Sequence, residues 1–362
     1  MKTESTLHSY KAPGRFKGLA NFDHKEYKSL KSLGINIDAM VSASDSLQPT
    51  QTQSSIAAPI QFLQHWLPGH VLYQTKAKKI DMAVGLSIVG REEDEEIVQT
   101  FMEYTGIPLP YNDFNNTPLS SWNVSYEKRT VVRFEEGAQL GRLENLRTAA
   151  ANIDSMGNKR KAAGEALERV RNTIGWYGYN NGLNRTYGFL NDPFLLPYIT
   201  ASTKTAGGTT WGVATALEIT TDFKTLFSEL RVQSGDNIGP ENQPILIAMA
   251  TSVYDQLSTT TDESLGVTVM KWLKDTYPTV SVMSAPELDA ANGGENVLYM
   301  YPLGVDDGST DDGKVFDQLV QVKFQSNGSS VNEKNVLIEN YSNAMAGILL
   351  KRPLDVVRMT GI

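Results

Sequence analysis

The chain of 362 residues contains no cysteine, only four histidines and no long apolar run. Without cysteine it has no disulfide framework, no thiol nucleophile and no cysteine-ligated metal site. Its longest apolar run, residues 344–350, is far shorter than the roughly 20 residues that a membrane-spanning helix needs. Residues 1–5 also lack the apolar segment of a signal peptide. The sequence therefore predicts a soluble, non-secreted protein without a membrane partner.

Motifs of catalysis and cofactor binding are also missing. Residues 308–315 fit the phosphate-loop pattern until the last position, where Val315 lacks the hydroxyl that would bind magnesium. Asp311 and Asp312 place negative charge where a phosphate would lie, so we interpret residues 306–312 as a solvated acidic loop. The histidines do not have the spacing of a zinc site: His8, His24, His65 and His70. We therefore expect no catalytic residue, no cofactor and no metal ion.

The N-terminal region, residues 1–60, is predicted to be an extended arm because Pro and Gly interrupt it early and a polar run follows. The net charge of −8 argues against a dedicated nucleic-acid binder. Residues 1–34 nevertheless carry seven Lys and Arg against three Asp and Glu. This basic arm is either a solvated tail or a non-specific contact for nucleic acid through Lys11, Arg15 and Lys17.

Residues 94–134 predict a long β-hairpin with a polar, proline-containing tip. In the second limb Trp122, Val124 and Tyr126 alternate with polar residues, and Phe101 and Met102 lie in the first. A two-stranded ribbon is marginal by itself in water, so this one should lie on another surface. An ordinary hairpin folded back on its own domain is the alternative.

Helical spacing of leucine and isoleucine predicts helices over residues 140–178. Residues 154–157 indicate a bend, with Asp154 or Ser155 as a new N-cap. The charged residues of this region predict a solvated helix face: Glu144, Arg147, Lys159, Arg160, Glu165, Glu168, Arg169 and Arg171.

Residues 195–315 alternate between helix and strand patterns and predict a compact α/β lobe. Helices are expected over 219–230 and 265–273, the second stopped by Pro278, and strands over 245–250, 280–283 and 297–301. The last part, residues 316–362, returns to strand patterns. A chain that leaves a first lobe, builds a second and returns makes the first lobe discontinuous.

Two segments carry a resemblance to a known family. Residues 182–194 read Gly-Leu-Asn-Arg-Thr-Tyr-Gly-Phe-Leu-Asn-Asp-Pro-Phe directly after the long helix, and residues 352–362 read Arg-Pro-Leu-Asp-Val-Val-Arg-Met-Thr-Gly-Ile. Both resemble the major capsid proteins of tailed bacteriophages, with Asn184 to Tyr187 as an insertion and Phe189 in place of a leucine. The resemblance implies the α+β, Hong Kong 97-type capsid fold.

In that fold the chain divides as the patterns above suggest. The resemblance implies an N-terminal arm (1–60), a peripheral domain begun at 61–93 and continued with the spine helix at 135–194, and an extended loop at 94–134. It also implies an axial domain at 195–315 and return strands of the peripheral domain at 316–362. The extended loop would reach over the adjacent subunit, which makes Phe101, Met102, Trp122, Val124 and Tyr126 candidate inter-subunit residues.

The implied function is that of a structural subunit. Copies would form hexamers and pentamers of an icosahedral virion shell around double-stranded DNA, assembled in the host cytoplasm. Portal, scaffolding or decoration proteins are further implied partners, and the basic arm would face the DNA. An encapsulin-like nanocompartment shell is the alternative, and an α/β enzyme with a β-rich appendage is a distant one. Some family members cross-link subunits through a Lys–Asn bond, which we do not expect here from Lys76, Lys78, Lys79 or Lys128.

Overall fold

The computed structural model describes residues 77–362, except for positions 115, 152, 181, 242 and 263–265 and the side chains of 260–262. The predicted arm, with Lys11, Arg15 and Lys17, lies outside the described residues.

Six helices and thirteen strands are assigned among the described residues. The α-helices are α1 Ile80–Ala83, α2 Arg142–Ala150, α3 Ser155–Tyr177, α4 Ala216–Gln233, α5 Thr251–Tyr254 and α6 Val269–Thr276. The strands are β1 Ser87–Ile88, β2 Glu96–Thr105, β3 Ser121–Thr130, β4 Val132–Leu140, β5 Ile199–Thr200, β6 Ile245–Ala250, β7 Thr260–Asp262, β8 Val267–Thr268, β9 Val280–Ala285, β10 Val297–Pro302, β11 Phe316–Val331, β12 Leu337–Leu350 and β13 Val357–Thr360. Short 3-10 turns lie at Trp211–Val213, Asp255–Ser258, Pro286–Leu288 and Pro353–Asp355. None of the described helices is long and apolar enough to cross a membrane.

The main core surrounds a five-stranded sheet of order β5-β13-β10-β6-β9. All six residues of β6 and all six of β10 are buried, as expected for central strands covered on both faces. Helix α4 packs its apolar stripe here and begins where Thr215 and Glu218 form a capping box. The helix predicted over 219–230 and the three predicted strands are therefore confirmed. The helix predicted over 265–273 begins only at Val269, because residues 267–268 form β8, and residue 265 lies outside the described residues.

A four-stranded sheet of order β1-β11-β12-β4 takes strands from both ends of the described chain. Its longest strands, β11 and β12, pair antiparallel, and helix α3 packs across the sheet. Helix α3 begins where the Asp154 side chain accepts a hydrogen bond from the Gly157 amide, which confirms the predicted N-cap. Helix α2 starts at Arg142 and not at Leu140, because Leu140 still belongs to β4.

The predicted hairpin is confirmed as an isolated two-stranded ribbon of β2 and β3. Its register runs from Glu96 opposite Thr130 at the root to Thr105 opposite Ser121 at the tip. Its second limb leaves the ribbon after Thr130 and enters the four-stranded sheet as β4. Residues 132–134, which were predicted to belong to the hairpin, therefore belong to the four-stranded sheet.

Two expectations need correction. The closing strand β13 pairs with β10 and β5 in the five-stranded sheet, so it does not share a sheet with the return strands β11 and β12. The apolar alternation at Val357 and Met359 is compatible with either sheet, so only the observed strand pairing shows to which sheet β13 belongs. Arg171 is not on a solvated face: it is buried, and its guanidinium binds both carboxylate oxygens of Asp81, at 2.5 and 2.7 Å.

Candidate inter-subunit surface

Residues directly opposite each other in an antiparallel pair point to the same face. Met102 therefore shares a face with Val124, and Tyr104 with Trp122, while Tyr126 lies opposite Thr100 on that same face. We call this the ribbon face and define it by its large side chains: Val98, Met102, Tyr104, Trp122, Val124 and Tyr126.

The register divides the five predicted hairpin residues between the two faces. Met102, Trp122, Val124 and Tyr126 belong to the ribbon face, but Phe101 lies opposite Ser125 on the reverse face and is half-buried. Strand periodicity places neighbours in sequence on opposite faces, so Phe101 and Met102 never shared one. Val98 and Tyr104 belong to the predicted first limb but were not among the five candidate residues, and they extend the ribbon face toward the root and the tip.

The ribbon face is not covered by its own chain. Trp122 is 58% exposed, Tyr126 70% and Tyr104 88%. The connection between the two strands adds further exposed large apolar residues: Ile107, Leu109, Tyr111, Phe114 and Leu119. Contiguous exposed apolar surface of this kind marks an interaction site in a soluble protein.

Beyond its root the ribbon carries only negatively charged side chains. No Lys or Arg occurs from residue 97 to residue 127, whereas Glu103 and Asp113 are exposed. Asp113 is in hydrogen-bonding contact with the Tyr111 hydroxyl, which raises the pKa of that tyrosine. The outer ribbon, residues 99–126, is therefore both apolar and acidic.

A buried arginine anchors the root of the ribbon. Arg129 is fully buried, and its Nη2 donates to Asp192 Oδ2 at 2.7 Å while its Nε donates to the Ile348 carbonyl at 3.1 Å. Its Nη1 binds Glu127, and the guanidinium lies 5.0 Å from the centre of the Tyr187 ring. A buried charge with this many partners fixes the position of the strand that carries it.

The segment 182–194, which carried the family resemblance, supplies the other side of this anchor. The Arg185 amide donates to Thr130 Oγ1 at 3.1 Å, and Thr186 Oγ1 donates to the Thr130 carbonyl at 2.7 Å. Arg185 Nη2 also binds Glu127 at 2.6 Å. The insertion found in the sequence therefore holds the root of the ribbon.

Close backbone packing stiffens the same region. Gly347 has a φ of 78°, and a Cβ there would lie 2.3 Å from the Tyr187 carbonyl oxygen. A Cβ at Gly188 would lie 2.4 Å from the Gly178 nitrogen. Only glycine fits at these contacts, so the ribbon root rests on a tightly packed support.

The acidic loop 306–312 is not simply solvated. Arg352 binds Asp307 at 2.9 Å and Asp311 at 2.8 Å, and Lys351 binds Asp312 at 3.0 Å. The hydrogen bonds from Arg352 hold the pKa values of Asp307 and Asp311 below their usual range. These ion pairs join the loop between β10 and β11 to the connection between β12 and β13. Most of the loop is exposed, as expected, but its carboxylates are paired.

Asp355 lies beside this network without an ion pair among the described residues. Burial, opposed by Arg352 and reinforced by Asp307, raises the pKa of Asp355 to about 6. Among the described residues no group of three or more acidic or histidine side chains is placed to hold a metal ion.

An open cleft of about 440 Å³ lies beside the ribbon root, lined by Ile88, Val98 and Leu319 and by the Lys351–Asp317 pair. Lys351 Nζ and Asp317 Oδ2 are 2.9 Å apart, so the two charges satisfy each other.

The lysines considered for a cross-link have local partners. Lys78 binds Glu165 at 2.5 Å, Lys79 donates to the Ser284 carbonyl at 2.6 Å, and Lys128 binds Glu96 at 2.7 Å. Lys76 lies outside the described residues.

Solved structures with a similar fold include capsids. The capsid of Myoviridae phage XM1 matches with a TM-score of 0.67 at 13% identity, covering 83% of this chain and 98% of that chain. The capsid of the native GTA particle matches with a TM-score of 0.57 at 7% identity, covering 86% and 99%. A structure of Gordonia phage Cozz matches with a TM-score of 0.52 at 12% identity, covering 87% and 97%. The predicted Hong Kong 97-type fold is confirmed.

Sequence comparison gives the family directly. A search of curated proteins finds no match to this chain. Residues 49–361 match the family described as "Pa193 gp26 major capsid protein". Since this match spans most of the chain, the protein belongs to that family and is a major capsid protein, a structural component of the virion capsid.

Proposed function

We propose that copies of this chain join through the ribbon face into a closed icosahedral shell of hexamers and pentamers around the double-stranded DNA of a tailed phage. The observation that supports this is a large apolar ribbon face left uncovered by its own chain in a member of a capsid protein family. Such a face is stable in water only when another surface covers it. A second copy is the partner that a shell supplies.

The geometry of the ribbon suits this role. Each strand has ten residues, so the ribbon reaches roughly 33 Å from its root. The anchor at Arg129 gives this long arm a defined direction. Each contact is modest, and closed symmetry adds many of them. The proposed role of the chain is to hold neighbouring subunits in position, and this role needs no catalytic group or cofactor.

The basic arm would supply the contact with DNA on the inner face, through Lys11, Arg15 and Lys17. Charge reversal of these three residues should leave shell formation possible and weaken the retention of packaged DNA as salt concentration rises. Reaction of these residues on intact, filled particles with a reagent too large to enter the shell would place the arm outside. Portal, scaffolding and decoration proteins would be further partners, and assembly would take place in the host cytoplasm.

Removal of the outer ribbon tests the proposed function. Joining Gln99 to Glu127 through a short Gly/Asn turn deletes the ribbon face beyond Val98 and keeps the root contacts of Arg129. We expect the variant to unfold cooperatively near the midpoint of the unchanged chain and to form no particles by electron microscopy. Normal particles, or a variant that does not fold, would each contradict the proposal. Particles of the unchanged chain should hold nuclease-protected DNA, whereas an encapsulin-like shell would hold a co-purified protein.

A further inference from the structure

Two Asn-Gly sequences lie wholly within the described residues: Asn327–Gly328 in β11 and Asn292–Gly293 in the turn before β10. Where glycine follows asparagine, the glycine nitrogen can reach the side-chain amide carbon of the asparagine, because the glycine carries no Cβ that would hinder the approach. A five-membered imide ring then closes between the two residues. The rate of this reaction depends on how firmly the pair is held, and the two pairs differ in that respect.

Residues 327 and 328 lie in a β-bulge. After the pair Ser326–Tyr341 the register of the β11–β12 ladder advances by three residues on β11 and by two on β12. The extra residue of a bulge has no partner, and the ladder is disrupted around it. Both residues are exposed, and a Cβ on Gly328 would have no heavy atom within 4 Å. The Gly328 nitrogen therefore lies in open surroundings with little restraint from the sheet.

The side chain of Asn327 has a partner that favours ring closure. Ser342 Oγ, on the adjacent strand β12, donates to Asn327 Oδ1 at 3.0 Å. When the Gly328 nitrogen attacks the amide carbon, negative charge develops on Oδ1, and a hydrogen bond to that oxygen stabilises the charge. Ser342 is therefore placed to assist the reaction.

The second pair is held by three hydrogen bonds. The Asn292 backbone nitrogen donates to the Glu295 carbonyl at 3.2 Å, and the Glu295 nitrogen donates to the Asn292 carbonyl at 2.9 Å. The side-chain Nδ2 of Asn292 donates to Thr360 Oγ1 at 3.0 Å. Ring closure at Asn292 would break the bond to Thr360 and distort the turn, so this pair is an internal comparison of the same sequence in a firmly held setting.

We propose that Asn327 is a site of spontaneous deamidation, and that Asn292 is protected from it. The Gly328 nitrogen forms a bond to Cγ of Asn327 and gives its proton to water. The Cγ–Nδ2 bond breaks, and the nitrogen takes up a proton from water and leaves as ammonia. Water then hydrolyses the imide at either carbonyl, which yields aspartate or isoaspartate.

Both products change the surface of the four-stranded sheet. Glu135 of β4 lies opposite Ser342, and residues directly opposite each other share a face. Because the Asn327 side chain reaches Ser342, the new carboxylate lies on the face that carries Glu135 and repels it. In isoaspartate the backbone also gains a methylene group, which alters the bulge itself. The charge and the local register of this surface therefore change with the age of the chain.

Ageing of the purified protein in buffer tests the proposal, with both sites followed by proteolytic digestion and mass spectrometry. We expect conversion at Asn327 to be at least threefold faster than at Asn292. Conversion should also speed up as pH rises, because the attacking nitrogen must lose its proton. Isoaspartate should form together with aspartate, which direct hydrolysis of the side-chain amide would not produce. Equal rates at the two sites, or aspartate without isoaspartate, would overturn the proposal.

Two variants test the roles of the neighbours. Gly328→Ala should slow conversion at Asn327 at least threefold, because the new Cβ hinders the attacking nitrogen. Since a φ of 106° disfavours alanine, Ser342→Ala is a second variant without this strain, and it should slow conversion at least twofold. Ser330→Ala, at an exposed position farther along β11, is the control and should leave the rate unchanged. Conversion in Gly328→Ala as fast as in the unchanged chain would contradict the imide route, and faster conversion in Ser342→Ala would contradict the role of Ser342.

Discussion

The five-stranded sheet and the two-stranded ribbon both carry large apolar residues, but the sheet buries them and the ribbon leaves them exposed. Strand β6 consists of apolar residues, and all six are buried by helices and neighbouring strands of the same chain. The ribbon also carries large apolar residues at regular intervals, yet Tyr104 is 88% exposed. One region completes its core within the chain, whereas the other leaves its apolar residues exposed, and we propose that a second copy covers them.

Layering explains the difference. The five-stranded sheet has helices packed against it, so each strand is covered on its faces. The ribbon is a single layer, and its two strands cover only each other's edges. Apolar side chains that stay exposed in a single layer contribute little to the stability of the subunit itself.

The largest expected effect on subunit stability comes from the core. Phe189 is fully buried, with its ring centre 4.6 Å from those of Tyr299 and Phe316. Phe189→Ala should lower the free energy of unfolding by about 3–5 kcal/mol, measured by denaturant titration of unassembled subunits. Trp122→Ala is the matched aromatic change on the ribbon and should cost less than about 1 kcal/mol. Equal losses would break the comparison, because the ribbon would then belong to the subunit core.

The ribbon root should give the next effect. Arg129→Met leaves the buried Asp192 carboxylate without its cation, so we expect a loss of about 3 kcal/mol in the free energy of unfolding. Adding Asp192→Asn should recover part of the loss, which a double-mutant cycle measures as coupling. Arg91→Met removes an exposed pair with Glu93 and serves as the control, with a change below about 0.5 kcal/mol. A coupling near zero would mean that the root is held by backbone contacts alone.

The smallest effect concerns the connection between the two sheets. The pKa of Asp355 is raised to about 6, so its carboxyl destabilises the folded chain once pH rises above the unfolded value of about 3.9. Asp355→Asn should therefore raise stability by about 1 kcal/mol at about pH 7.5, after allowance for solvent screening, with no gain near pH 4. Thermal unfolding of both chains across this range checks the sign. A gain that persists at low pH would have a cause other than ionisation.

Local patterns predicted much of this molecule. Period-two alternation gave the limbs of the ribbon, the run 245–250 gave β6, and Asp154 marked the start of α3. Each of these features depends on residues that are close in sequence. The segment 182–194 indicated the family, although nothing in it revealed which part of the chain it contacts.

The features that could not be predicted from the sequence depend on contacts between residues far apart along the chain. Arg129 follows Glu127 and Lys128 in sequence and reads as one more surface charge, but its partner Asp192 is 63 positions away. Residues Val357 and Met359 are apolar in a way that fits either sheet, so the membership of β13 follows only from its pairing with β10. The exposure of α2 could not be predicted either, because an amphipathic stripe predicts burial without naming the surface that covers it.

Hydroxyl-radical footprinting, read by mass spectrometry, tests the central claim most directly. It compares side-chain oxidation in unassembled subunits and in purified particles. We expect oxidation of Met102, Tyr104 and Trp122 to fall several-fold on assembly, while the buried Trp176 and Tyr299 remain protected in both states. Ribbon side chains that are oxidised equally in subunits and particles would contradict the claim that another copy covers the ribbon face.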